Sequence, residues 1–371
     1  MNSIAFRQQL HRLAELSGEE MNTTNFIEND LKNLSYLCVD KLANTGLIAS
    51  TADQGGFMLR CDIDALPIDE NHLSLPFKSE KNGVSHKCGH DGHSAILREV
   101  ALRINPMQLS RAVHFLFQPS EENAKGARDV LQDPVFKSKN PEIIFGMHNI
   151  PGADLGTVLI KENFITTSVS TIKFVFTGKT AHASSPQLGI SPFPAIAGML
   201  TNPTLPDFVS AEGQMCTPVY INSGDSEFGN GTSPGRAEIK LTIRADTEDG
   251  FNSIADYYRE KAAALTEKYN LKLEIVEEDR FKACLNDKQA VRIVEDAAKR
   301  AGLNIEYLHK PFPFVEDFGF YSAHYPACFF GLGSGINQAP LHHSDYNFPD
   351  ELIDHAAKLW MEIINYQNTE L

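Results

Sequence analysis

Between His86 and His93 the chain reads His-Lys-Cys-Gly-His-Asp-Gly-His, which sets a thiol, Cys88, two residues from an imidazole, His90, with His86 and His93 on either side. Side chains two positions apart converge only where the backbone turns sharply, and Gly89 permits such a turn without steric cost. Cysteine and histidine together suit zinc and its transition-metal neighbours better than calcium or magnesium. The same two residues could instead form a thiol nucleophile with a histidine base, or an ordinary polar loop. Four further groups of chemically active residues bear on the choice: Asp62 with Asp64, Glu121 with Glu122, His148, and His342 with His343.

The elements that must position these groups are legible. Gly56 to Asp62, Arg111 to Phe117, Glu142 to Met147 and Ala327 to Leu332 are short, mostly continuous apolar runs. Such runs are expected for strands covered on both faces in an α/β sheet, and helical patterns lie between them. Cys88 and His90 fall in a loop before a helix expected over Ser94 to Arg103. All five groups therefore lie beyond the carboxyl ends of core strands, where open α/β sheets build their sites. Singly, each has a plain structural reading: a turn aspartate, a helix-dipole glutamate, a satisfied core histidine. Their joint location is what argues for one site.

Glu238 to Arg244 follows a different rule: Ile239, Leu241 and Ile243 alternate with polar residues, as in an antiparallel sheet wetted on one side. With a strand at Ser170 to Thr177, helices near Ser191 to Leu200 and Gly250 to Tyr269, and a strand at Leu271 to Val276, residues 165–278 read as β-α-β-β-α-β. That order suggests a ferredoxin-like insertion. The expected architecture is thus α/β: a mixed, mostly parallel sheet flanked by helices over residues 1–164 and 279–371, carrying an inserted ferredoxin-like α+β lid.

Composition narrows the partners. The chain has 371 residues and a formal charge of −15, with no basic patch, which argues against nucleic acid or an anionic membrane surface. No apolar run approaches the ~20 residues that span a bilayer. Six scattered cysteines and an N-terminal stretch without a basic flank and apolar core place the chain in a reducing cytoplasm.

Several stretches in register resemble one enzyme family. Arg60-Cys61-Asp62-Ile63-Asp64-Ala65-Leu66-Pro67, Cys88-Gly89-His90-Asp91-Gly92-His93, Gln118-Pro119-Ser120-Glu121-Glu122, Gly146-Met147-His148, Gly178-Lys179-Thr180-Ala181-His182-Ala183 and Leu341-His342 match the order and approximate spacing of the dinuclear metal amidohydrolases. The branch is that of hippurate hydrolases, N-acyl-amino-acid deacetylases and auxin-conjugate hydrolases, related to aminoacylases and carboxypeptidases. The resemblance implies two divalent transition-metal ions per chain, zinc first and manganese, cobalt or nickel as alternatives, held by Cys88, His90, Glu122, His148 and His342. It implies Glu121 as general base, transition-state stabilisation by His182 from the lid, and an N-acyl amino acid as the small-molecule substrate. A homodimer through the lid is the corresponding partner expectation. The chain departs from the family at Cys61 and Lys87, both usually alanine, at Ala14, usually proline, and over Gly229 to Pro234, where relatives carry an asparagine-containing stretch.

The residues allow the same chemistry to be built from below. Two ions sharing a hydroxide bring the pKa of its parent water towards neutrality and supply a nucleophile for an inert amide. With Glu122 on metal, Glu121 is free to take the water's proton and deliver it to the departing amine. Asp64 orients a ligand from behind, and Asp62 does so too or reaches the metal. His182 would donate to the oxyanion if the lid closes. A substrate carboxylate needs a cationic partner, for which Lys179, Arg236 and Arg244 are candidates. A metal-free cysteine hydrolase, a non-catalytic metal sensor, and a dipeptidase or aminopeptidase of the same family remain the alternatives.

Overall fold

A computed structural model describes residues 1–201, 213–224 and 231–367 and divides the chain into two compact units. Unit 1 comprises 1–165, 284–312 and 316–371, and unit 2 comprises 166–283 and 313–315.

Unit 1 is built on an eight-stranded sheet. In spatial order its strands are Cys38–Leu42, Gly46–Ser50, Val113–Gln118, Phe57–Asp62, Ile143–Ile150, Ala327–Gly333, Val158–Ile160 and Ile305–Tyr307. The four central strands pair in parallel, and the first two join them antiparallel. Every residue of Val113–Gln118, Phe57–Asp62 and Ala327–Gly333 is buried, which explains their mostly apolar character: both faces are covered. Helices Ser3–Leu13, His90–Arg103, Lys288–Ala301 and Leu352–Ile364 supply that cover, contributing Phe6, Ile96, Val294 and Trp360 to one continuous core. Asp287 caps the third of these, accepting from the amides of Gln289 and Ala290 at 2.8 and 3.0 Å, and Gly302 ends it at φ +71°.

Register then gathers the chemistry at one end. Asp62 lies opposite Gln118, Arg60 opposite Gly146, and Gly331 opposite His148, so the loops that follow these strands leave from a common edge.

Unit 2 contains strands Ser168–Thr177, Gln214–Ser223, Arg236–Ala245 and Lys272–Phe281 with helices Phe193–Leu200 and Glu248–Tyr269. Taken in chain order, the antiparallel strands stand fourth, first, third, second across the sheet, the ferredoxin-like arrangement. Alternation dictates the face: Ala237, Ile239, Leu241, Ile243 and Ala245 are buried against Phe251, Ile254, Ala255 and Tyr258 of the long helix. Its first turn is capped by Thr247, which accepts from Gly250 at 3.0 Å. Of the stretch that departs from the family pattern, Gly229 and Asn230 lie outside the described residues. No helix among the described residues is long and apolar enough to cross a membrane.

Candidate metal centre

The expected loop before Ser94 is shorter than sequence suggested. Helix His90–Arg103 begins at His90, directly after Gly89 in a left-handed conformation at φ +97°. The stretch His90-Asp91-Gly92-His93 is weak in helix propensity, which is why it reads as a loop. Asp91 at the helix start, favourable to the dipole, and tertiary packing override that weakness. A Cβ at Gly89 would stand 2.5 Å from Asn149 Oδ1, and one at Gly92 would stand 2.4 Å from the Phe348 ring, so both positions exclude side chains.

Around this turn the side chains converge. Ligand atoms of Cys88, His90 and His148 lie within 4.8 Å of one another, as do those of Cys88, Glu122 and His342, and those of His90, Glu121 and Glu122. The Cys88 Sγ to His148 Nε2 distance is 3.4 Å, and Glu122 Oε1 stands 3.8 Å from His90 Nε2 and 3.5 Å from His342 Nε2. His148 Nδ1 donates to the carbonyl of Asn149 at 2.9 Å, leaving the Nε2 lone pair aimed at the cluster. His90 Nδ1 faces the carbonyl of Asp64 at 2.9 Å and its carboxylate at 3.2 Å, leaving Nε2 buried with no hydrogen-bond partner. Glu122 Oε1 is likewise buried without one. Polar atoms gathered this closely and left without partners call for a cation among them. The donor set therefore fits a transition metal.

Electrostatics point the same way. Burial opposes a charged ring at His90, yet Asp62, Asp64 and Glu122 together push its pKa up to about 10, so the site draws in positive charge. Burial, reinforced by His93 and His90 and opposed by Asp62, holds His148 neutral, as a metal ligand must be. At Cys88, burial and the carboxylates of Glu122, Glu121 and Asp62 push the thiol well above its usual range.

Glu121 converges with His90 and Glu122 and has further acidic neighbours. Its carboxyl is buried, and burial followed by Glu316, Glu122 and Asp317 raises its pKa well above the ordinary carboxyl range. Its Oε1 accepts from the Asp317 amide at 3.3 Å. The backbone around the Glu pair is held in rare conformations, with Ser120 at φ +57° and Ala124 at φ +58°. His342 is also left-handed at φ +63° and is half-exposed, whereas His343 faces Asp345 at 3.7 Å on the surface. Geometry thus brings His342, and not His343, into the donor set.

Asp64 touches His90, the amide of Glu122 at 3.0 Å and the Ser17 hydroxyl at 2.7 Å, bracing two donors from behind. Asp62 contacts His93 Nδ1 at 2.6 Å and Arg60 at 2.9 Å, with His90 Nε2 at 3.7 Å. His93 has both ring nitrogens engaged, the second with Asn149 Oδ1 at 2.5 Å. His86 is buried and held neutral, its pKa lowered to about 4 by burial, and belongs to none of the donor groups. His182 lies in unit 2, exposed, on the short strand Ala181–His182, with Nδ1 2.8 Å from Ser184 Oγ. Arg236 pairs with Glu238 at 3.0 Å, and Arg244 bonds Thr167 at 2.8 Å and the carbonyl of Pro313 at 2.5 Å.

Sequence reasoning missed Arg60, Glu316 and Asp317. Arg60 is buried and reaches Asp62 at 2.9 Å, Glu316 at 3.0 Å and Asp317 at 2.8 Å, compensating the carboxyls that surround Glu121. Nothing in local spacing links positions so far apart, although Glu316-Asp317 is an adjacent acidic pair like Glu121-Glu122.

Comparison with known proteins agrees with this picture. The model of the family described as Peptidase family M20/M25/M40 matches residues 58–366. An uncharacterized hydrolase of Staphylococcus aureus (strain USA300) is 30% identical over 382 residues, covering 98% of this chain and 99% of its own. The N-acetylcysteine deacetylase of Bacillus subtilis (strain 168) is 30% identical over 370 residues, covering 97% and 95%. Among solved structures, the Bacillus subtilis YXEP protein, described as a dinuclear metal binding peptidase from the M20 family, superposes with a TM-score of 0.82 at 28% identity, covering 98% of this chain and 96% of that one. The chain belongs to the M20/M25/M40 peptidase family and is a metal-dependent amidohydrolase.

Proposed function

From that membership we propose that the chain hydrolyses the amide bond of small N-acyl amino acids, with Cys88, His90, Glu122, His148 and His342 holding two divalent ions and Glu121 acting as general base. The observation that carries the proposal is the donor set itself: His90 Nε2 and Glu122 Oε1 are buried without hydrogen-bond partners among the ligand atoms of Cys88, His148 and His342, with the buried Glu121 carboxyl beside them. Five donors exceed the four of a closed mononuclear zinc site, which supports a second ion. Zinc is the ion we favour, on the thiol and imidazole content of the set. Bound there, the ions would supply Lewis acidity, polarising the amide carbonyl and bringing water towards ionisation at neutral pH.

The chain's own groups do the rest. Glu121 takes a proton from the attacking water and passes it to the leaving nitrogen, a role suited to a buried carboxyl whose pKa its surroundings raise. Asp64 holds His90 and the backbone at Glu122, fixing two donors in place. His182 would donate to the oxyanion, and a cation among Arg236, Arg244 and Lys179 would receive the substrate carboxylate. Cys88 is buried among the carboxylates of Glu122, Glu121 and Asp62, which oppose a free thiolate nucleophile and whose effect a bound cation would offset. The deacetylase relative supports an N-acyl amino acid over a peptide. The exposed Met215, Val219, Tyr220 and Ile221 on edge strand Gln214–Ser223 support a homodimer formed through unit 2. The absence of a disulfide among the six cysteines supports a reducing cytoplasm.

The test is kcat/KM for N-acetyl and N-benzoyl amino acids against dipeptides with free amines. Preference for the N-acyl series supports the proposal; preference for the dipeptides replaces it with a dipeptidase.

A further inference from the structure

Lys87 precedes the Cys88 turn, and a lysine in such a loop would ordinarily extend into water. Here its side chain is fully buried. The ammonium donates to Glu70 Oε2 at 2.6 Å and to the carbonyl of Tyr346 at 2.9 Å. The main-chain carbonyl of the same residue accepts from the amide of His342 at 2.8 Å. One residue thus grips the segment 342–346 at both ends. That segment lies between strand Ala327–Gly333 and helix Leu352–Ile364, and its histidine is held in a left-handed conformation that a non-glycine residue keeps only when its surroundings enforce it.

Glu70 is itself fixed. It accepts from the Ser79 amide at 2.7 Å and meets His11 Nε2 at 3.1 Å; His11 Nδ1 meets Asp91 Oδ2 at 2.8 Å, which Arg7 also reaches at 2.9 Å. Residues 87 and 91, immediately flanking the Cys88–His90 pair, are therefore held by one buried chain of alternating charge.

We infer that Lys87 is a positioning residue: through Glu70 and Tyr346 it locks the His342 segment against the Cys88 turn and so completes the half of the site formed by Cys88, Glu122 and His342. The inference rests on the ligand reading proposed above. An outer group that orients a ligand typically contributes 10- to 100-fold to metal affinity, and Lys87 acts on two ligand-bearing segments at once.

The test titrates the full-length, metal-stripped chain with Co2+ alone, following thiolate-to-cobalt absorption and bound cobalt per chain. Lys87→Met should weaken one of two cobalt ions by roughly 10- to 100-fold, matching His342→Ala, and should add little when combined with it. Because that change strands Glu70, a second variant, Lys87→Met with Glu70→Gln, removes both charges; its metal-free melting temperature should return towards wild type while cobalt affinity stays low. Wild-type affinity for both ions in either variant overturns the inference, as does an additive loss on top of His342→Ala, which would mark Lys87 as structural. If wild type itself binds no cobalt, the ligand reading fails first and the inference falls with it.

Discussion

Gly89→Ala is the sharpest perturbation of the turn on which the site depends. The position has φ +97°, and the new Cβ would lie 2.5 Å from Asn149 Oδ1. Left-handed backbone costs an L-residue about 1–2 kcal/mol. Asn149 cannot simply swing away, because its oxygen meets His93 Nε2 at 2.5 Å and its amide donates to the Tyr346 hydroxyl at 2.6 Å. Displacing it leaves buried polar atoms unsatisfied, at about 1–3 kcal/mol. The sum is a destabilisation of about 2–5 kcal/mol. Gly83→Ala is the control: it has φ +74° with nothing within 4 Å of a Cβ, so only the backbone contribution applies. The single tryptophan, Trp360, is buried in unit 1 and reports its unfolding in denaturant. Gly89→Ala should unfold earlier than Gly83→Ala by about 1–3 kcal/mol in the metal-free protein and should retain less metal after dialysis. Equal midpoints for the two variants, with wild-type metal content in both, would refute the reasoning.

Glu121→Gln should retain both ions while turnover falls by roughly 10²- to 10⁴-fold, whereas Glu122→Gln should lose metal; metal content and kcat measured together separate the two, and equal metal loss in both would reverse the assignment. His182→Ala should lower kcat by roughly 10²- to 10³-fold with metal content and melting temperature unchanged, and unaltered kinetics on the best substrate would remove it from the reaction. His114 is buried against Ser50 and the carbonyl of Gly55, and burial lowers its pKa to about 4 from 6.5. Because the folded value lies below the unfolded one, its stabilising contribution is full above pH 6.5 and is lost as pH falls towards 4. It amounts to up to roughly 3 kcal/mol. His114→Gln should flatten the loss of unit 1 stability across that window, and an unchanged pH slope would contradict the assignment.

The fold was legible wherever one period dominated. Mostly apolar runs marked the four central strands because both faces of the sheet are covered, and strict alternation marked Arg236–Ala245 because one face packs on a helix. Strand ends then placed Asp62 and the Glu121-Glu122 pair, whereas His148 lies inside strand Ile143–Ile150, which runs past the end expected at Met147. The start of helix His90–Arg103 was not legible, since packing around Gly89 and Gly92 outweighs poor local propensity. Nor was the choice between His342 and His343, which depends on the Lys87 carbonyl fixing one residue of an irregular segment. Nor were the ion pairs of the buried Arg60 and Lys87 legible, because Glu316, Asp317 and Glu70 are connected to them by no sequence spacing.

The most direct test of the account is metal analysis of the purified chain joined to chelation and reconstitution on an N-acetyl amino acid. The account predicts up to two transition-metal ions per chain, loss of hydrolysis on exhaustive chelation, its return with zinc, cobalt, manganese or nickel, and weakened metal retention in Cys88→Ser. Full hydrolysis by protein in which no metal is detected would contradict it.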